Sequence, residues 1–157
     1  MRNVSHMTPV LDGRRILVVV PPARFDEAAF YQTWQLLSDE GAWLTLVSDS
    51  TTGMAVGDDG NVAAIAGPLG TVAVGDLDAV VVIGGPDAAR SIPAMKGFDA
   101  LMSAAAAHDL PVAALAGAET GVEGAIEGEL RNLPRLVAEL SVRVAKRAGA
   151  HPEDARV

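Results

Sequence analysis

The stretch Asp78-Ala-Val-Val-Val-Ile-Gly-Gly-Pro86 decides the fold. Ala79 to Ile83 is an unbroken apolar run, β-branched from Val80 onward. No polar residue alternates with it, so neither face is built for water. Such a strand belongs inside a parallel sheet covered on both sides by helices. Gly84-Gly85-Pro86 ends it abruptly.

Working outward, the same grammar repeats. Upstream, Arg15-Ile-Leu-Val-Val-Val20 is a second buried strand, closed by Pro21-Pro22. Asp26 and Glu27 follow, where a helix start favours acids. Phe30, Trp34 and Leu37 then recur at helical spacing, and Gly41 closes that helix. Trp43 to Val47 reads as the next strand, completing a βαβ unit. Asp59-Gly60 predicts a hairpin turn between Met54–Val56 and Val62–Ile65. Downstream of the deciding stretch, a helix is expected from Gly97 to His108, with Phe98, Leu101, Met102 and Ala105 on one face. Val112 to Leu115 is a further strand. Residues 116–128 are small, Gly-rich and acidic. A last helix runs from about Asn132 to Arg147, apolar through Leu133, Leu136, Val137, Leu140 and Val144. Its other face is basic, with Arg131, Arg135, Arg143, Lys146 and Arg147.

Strands alternating with helices predict an α/β fold: a three-layer doubly wound sandwich with a mostly parallel, flavodoxin-like sheet. The 157 residues suit one domain, expected over residues 13–150. Residues 1–12 read as a flexible N-terminal segment and 151–157 as a frayed tail.

Composition removes several function classes. Net charge is −8, which leaves no global electrostatic footprint for nucleic acid and suits no anionic membrane surface. Cysteine is absent, so there is no disulfide, thiolate metal site or thiol nucleophile. The start of the chain has no apolar signal core. A cytoplasmic location is expected. His6, His108 and His151 are scattered, and no His/Asp/Glu set shows metal-ligand spacing in sequence. Neither a metal nor another cofactor is expected.

Ligands in doubly wound folds lie beyond the carboxyl ends of the strands. That rule selects Pro21–Glu27, Gly84–Arg90 and Ala116–Thr120. Asp26, Glu27 and Glu119 are the acid/base candidates in these segments. Each also has a purely structural reading: a charged first helical turn for Asp26 and Glu27, a helix cap for Glu119. Arg24 is a candidate anion anchor, or a surface arginine paired with a nearby acid. Gly84 and Gly85 can offer backbone N–H groups to an oxyanion, or serve a tight turn needing positive φ. Pro86, Ala116, Gly117 and Ala118 complete the expected substrate-binding lining.

These segments resemble the ThiJ/PfpI superfamily, which has the class I glutamine amidotransferase-like fold. The resemblance is carried by Val18-Val-Val-Pro-Pro22 with Phe25-Asp-Glu27, by Asp78 to Pro86, by Pro111-Val-Ala-Ala-Leu115, and by the Gly53 to Gly60 turn. It covers roughly residues 14–120. It implies a nucleophile elbow at position 116, where the family carries cysteine and this chain carries alanine. The family's neighbouring histidine matches Gly117, and its acid partner matches Arg24, with Asp26 and Glu27 nearby. A methyl group cannot attack a carbonyl, so thiol-based hydrolysis or glyoxalase chemistry is excluded. The resemblance implies one of two functions. The first is a small-molecule enzyme acting on a carbonyl compound through carboxylates and backbone N–H groups, as a lyase, isomerase, hydratase or cyclase. The second is a catalytically silent protein that binds a ligand or partner. It also implies a homodimer, or a hetero-oligomer with a homologue, because the region after the elbow is short.

Overall fold

The computed structural model describes residues 10–150. The elements in chain order are β1 (Arg15–Val19), β2 (Ala23–Phe25), α1 (Glu27–Asp39), β3 (Trp43–Val47), β4 (Met54–Gly57) and β5 (Val62–Ala64). They continue with β6 (Ala79–Ile83), α2 (Ala88–Ala94), α3 (Phe98–Ala107), β7 (Val112–Leu115), β8 (Ile126–Gly128) and α4 (Leu133–Ala150). The main sheet has the order β3-β1-β6-β7-β8, and every neighbouring pair is parallel. β2, β4 and β5 form a small second sheet, with β4 and β5 as an antiparallel hairpin. The α/β doubly wound expectation holds.

Side chains alternate across the central strands, and both faces are dry. Ile16, Val18, Val81, Ile83, Ala113 and Leu115 pack with Phe30 and Leu37 of α1 and Leu136 and Leu140 of α4. Leu17, Val19, Val80, Val82, Val112 and Ala114 pack with Ile92 of α2 and Phe98, Leu101 and Met102 of α3. That gives three layers. Asp78, buried at the start of β6, takes a 2.8 Å hydrogen bond from the Arg15 amide and donates its own amide to the Arg15 carbonyl. The two central strands are thereby pinned in register.

The fold departs from the sequence reading at several points. It starts before residue 13: Leu11 is fully buried, and its amide donates to the Glu40 carbonyl at 2.9 Å. Residues 151–157 lie outside the described residues, as do His6 and His151. β2 and α2 are short elements that periodicity does not reveal. β8 adds an outer parallel strand within the Gly-rich region. No helix follows position 116; residues 117–125 form an irregular crossover instead. Gly117, Gly121 and Gly124 all have positive φ there, and a glycine costs a helix about 1 kcal/mol each time.

Trp34 is half-buried against the core, whereas Trp43 is 62 % exposed with the Arg15 guanidinium over its ring. One face of the β4–β5 hairpin presents Met54, Val56 and Val62 to solvent. The last helix is amphipathic as expected, but Arg147 leaves the basic stripe: it is buried and donates to the His108 carbonyl. Among the described residues, no helix is long and apolar enough to cross a membrane.

Candidate functional site

Three loops meet at the carboxyl end of the sheet, and Gly84 joins them. Its amide donates to the Leu115 carbonyl at 3.0 Å, and its carbonyl accepts from the Asp26 amide at 2.9 Å. Neither Gly84 nor Gly85 has a positive φ, which corrects the tight-turn expectation. Space requires them instead. A Cβ on Gly84 would lie 2.5 Å from the Ala116 carbonyl oxygen and 2.6 Å from the Ala88 methyl. One on Gly85 would lie 2.1 Å from the Arg24 carbonyl oxygen. Segments 24–26, 84–88 and 115–118 therefore touch backbone to backbone.

The elbow itself is strained. Ala116 has φ 55° and Gly117 φ 82°, and the Ala118 amide closes the turn on the Leu115 carbonyl at 3.1 Å. An L-residue pays about 1–2 kcal/mol for the left-handed region. Here that strain presents only a methyl group. Ala116→Gly is expected to raise stability by about 0.5 kcal/mol, the relieved strain exceeding the extra unfolded-state entropy of glycine. Thermal melting should show a small upward shift. A clear loss of stability would mean that the methyl is held by packing rather than tolerated by the frame.

The predicted site residues divide sharply. Arg24, Gly84, Gly85, Ala116, Gly117 and Ala118 come together. The carboxylates of Asp26 and Glu27 do not join them. Asp26 is the N-cap of α1, and its Oδ1 accepts the Ala29 amide at 2.9 Å. Glu27 is buried and turned toward the β4–β5 hairpin. Its carboxylate accepts the Asp59 and Asn61 amides at 2.7 and 3.1 Å and the Asn61 side-chain amide at 2.6 Å. Arg24, itself at φ 61°, donates to Asp87 at 2.9 Å, and Arg90 approaches the same carboxylate. Pro86 is exposed beside them. The Arg24–Asp87 pair is partly exposed, so it orders the rim more than it stabilises the fold.

Glu119 is the predicted carboxylate that does reach the hollows beside the elbow. It is exposed in the irregular crossover, not at a helix N-terminus as expected, because no helix forms there. A hollow of about 440 Å³ is lined by Gly117, Ala118, Glu119, Thr120, Glu127 and Gly128. A second of about 240 Å³, lined by Ala88, Phe98, Asp99, Glu119 and Thr120, lies on its other side. Thr120, Glu127 and Asp99 were not singled out in the sequence. Glu127 is reachable only through β8, whose single buried apolar residue gives no strand pattern.

The structure also groups carboxylates that sequence spacing separates. Glu27, Asp58 and Asp59 each place an oxygen within 4.8 Å of the others, a set able to surround a metal ion. Glu27 is already committed to three hairpin donors, so the cluster acts first as the clasp between α1 and the hairpin.

Comparison with known proteins agrees with this architecture. The ThiJ/PfpI domain protein from Brachyspira murdochii superposes with a TM-score of 0.71 at 13 % identity, over 86 % of this chain and 98 % of that one. A cysteine-to-alanine mutant of a DJ-1 superfamily protein from Salmonella typhimurium gives 0.64 at 14 % identity, over 87 % and 97 %. An AraC family transcriptional regulator from Pseudomonas putida gives 0.50 at 24 % identity, over 65 % of this chain and 55 % of its own. Curated proteins give no match by sequence. The DJ-1/PfpI family profile matches residues 14–128, most of the chain, and the chain belongs to the DJ-1/PfpI family.

Proposed function

We propose that this chain is a non-covalent small-molecule binder of the DJ-1/PfpI family, recognising a carbonyl compound at the elbow without turning it over. One observation carries the reading: the strained elbow is kept while position 116 holds a methyl group. Two of the three candidate acid/base carboxylates support it further: Glu27 spends both oxygens on donors of the hairpin, and Asp26 spends Oδ1 on capping α1. General acid–base work needs a group within reach of the substrate. Of the three candidates Glu119 remains; with Thr120 it borders both hollows, beside Glu127 in one and Asp99 in the other. A carbonyl oxygen seated there can take a hydrogen bond from the Thr120 hydroxyl while Glu119 selects for a neighbouring donor.

A second reading keeps the enzyme, with Glu119 alone moving a proton next to the carbonyl. Its support is that Glu119 is the one predicted carboxylate bordering the hollows.

A thermal-shift panel of small aldehydes, keto acids, lactones and aromatic carbonyls separates the two. A true ligand at a hundredfold excess over Kd stabilises by about 2.7 kcal/mol. Glu119→Gln is expected to reduce that shift. No chemical change in the bound compound, followed by NMR over hours, is the result expected of a binder. Conversion lost in Glu119→Gln establishes the enzyme. No stabilisation by any compound overturns carbonyl recognition at the elbow.

A further inference from the structure

The outward face of α4 carries apolar residues that the fold leaves uncovered. Leu136, Val137, Leu140 and Val144 turn into the core. On the other side Val142 is 59 % exposed at mid-helix, with Ala138 and Ala145 exposed about one turn before and after it. These three line one wall of a groove of about 440 Å³, and Leu36 of α1 and Val10 line the other. The polar groups of the groove are already engaged. Glu40, its one charged residue, accepts the Val10 amide at 3.3 Å, and the Ser141 hydroxyl donates to the Val137 carbonyl at 2.8 Å. What remains open is apolar surface, which water does not satisfy.

We propose that α4 pairs antiparallel with α4 of a second copy of this chain, on a two-fold axis that crosses the helix at Val142. The order of residues along the helix names the occupant. A two-fold interface sets residue i against j and j against i. Val142 then lies against itself. Ala138, four residues before it, meets Ala145, three residues after it, on the other copy. Glu139, three before, meets Lys146, four after. The one-residue offsets amount to about 1.5 Å along the axis. Each pair is seven residues apart, so its members lie on one row two turns long. The alanine row lets the two helices approach closely. The charged row, on the flank, sets carboxylate beside ammonium twice, once for each copy. Both rows of α4 are therefore complementary to themselves, one in shape and one in charge. A parallel pair would instead set Glu139 against Glu139. None of these residues lines the hollows beside the elbow, so this dimer and the proposed carbonyl recognition are tested separately.

The chain has no cysteine, so one introduced thiol reports one contact. Val142→Cys is expected to form a disulfide dimer on treatment with diamide, which takes up the two hydrogens lost. The two-fold brings the Cα atoms at position 142 within the ~7 Å that such a bond needs. Val62→Cys, exposed on the β4–β5 hairpin, is expected to stay uncross-linked. Sedimentation of the unmodified chain at about 100 µM should give twice 16.1 kDa. Val142→Glu sets two like charges on the axis and should raise the dimer Kd about tenfold or more. Glu139→Lys or Lys146→Glu alone should weaken it about fivefold, the scale of an exposed ion pair, and the two together should restore it. The melting temperature reports that each variant is folded. A monomeric wild type at that concentration would give the groove to a different protein and overturn the proposal. So would a dimer indifferent to Val142→Glu, or cross-linking through Val62→Cys in place of Val142→Cys.

Discussion

Gly85→Ala is expected to destabilise the protein by about 3 kcal/mol, the upper end of what overpacking a filled interior costs. The added methyl would sit 2.1 Å from the Arg24 carbonyl oxygen and 3.1 Å from the Asp26 amide nitrogen. Both are backbone atoms, so no side chain can swing aside. Asp26 cannot retreat, because its amide is bonded to Gly84 and its side chain caps α1. The turn must open, and with it the contact between the loops after β1 and β6. Urea denaturation should show the midpoint falling by about 1 M or more, given slopes of about 1–3 kcal/mol/M for small proteins. Gly70→Ala is the control, since nothing lies within 4 Å of a Cβ built there. If both variants melt with wild type, the backbone contact at Gly85 is not what holds the elbow end together.

The second large effect is expected at Glu27. Glu27→Gln should cost about 2–3 kcal/mol. The carboxylate serves three donors with its two oxygens, and bonds to a charged acceptor are worth about 1.5–3 kcal/mol each. Glutamine keeps one oxygen and turns an NH₂ group toward a donor. An opposing effect must be weighed. Removing the charge also relieves repulsion from Asp58 and Asp59, with oxygens within 4.8 Å. Those two residues are exposed, so that relief amounts to about 1 kcal/mol each at a water-like dielectric. The hydrogen bonds win, and the amides of Asp59 and Asn61 should lose protection in hydrogen exchange before the main sheet does. A midpoint that rises in Glu27→Gln would show that the carboxylate cluster is dominated by repulsion and that the clasp is weak.

What the sequence revealed follows from how each feature is encoded. β1, β6 and β7 are continuous apolar runs because both their faces are buried, and that pattern is local. The hairpin announces itself through Asp59-Gly60. β8 does not, since Ile126 is its one buried residue and Glu127 is exposed. α2 is seven residues long and contains Pro93, which hides it from any periodic reading. The elbow is legible through the family resemblance, but its strain is not, because alanine carries no signal of a left-handed φ. Glu27 shows the limit most clearly. As an acid beside a helix start it invites a catalytic reading. Its commitment to Asp59 and Asn61, more than thirty residues away, is a fact of tertiary packing alone. Gly84 and Gly85 stand out in the sequence as oxyanion donors or as a turn needing positive φ; the Gly84 amide is instead bonded to the Leu115 carbonyl, and close neighbours leave no room for a side chain at either.

The order β3-β1-β6-β7-β8 has a consequence for how the chain leaves the ribosome. β1 is made first, and β3 can cover one of its edges soon afterwards. The other edge waits for β6, with Asp78 following its partner Arg15 by 63 residues. At about 5–20 residues per second, a valine-rich strand keeps one open edge for several seconds. Unpaired edges of that kind invite other chains. The clasped hairpin is made within this interval, and Pro21 and Pro22 stop the open edge from growing longer. Newly made protein is thus open to association along β1 until residue 83 emerges; β6 then closes that edge and shows its own far edge until β7 is made.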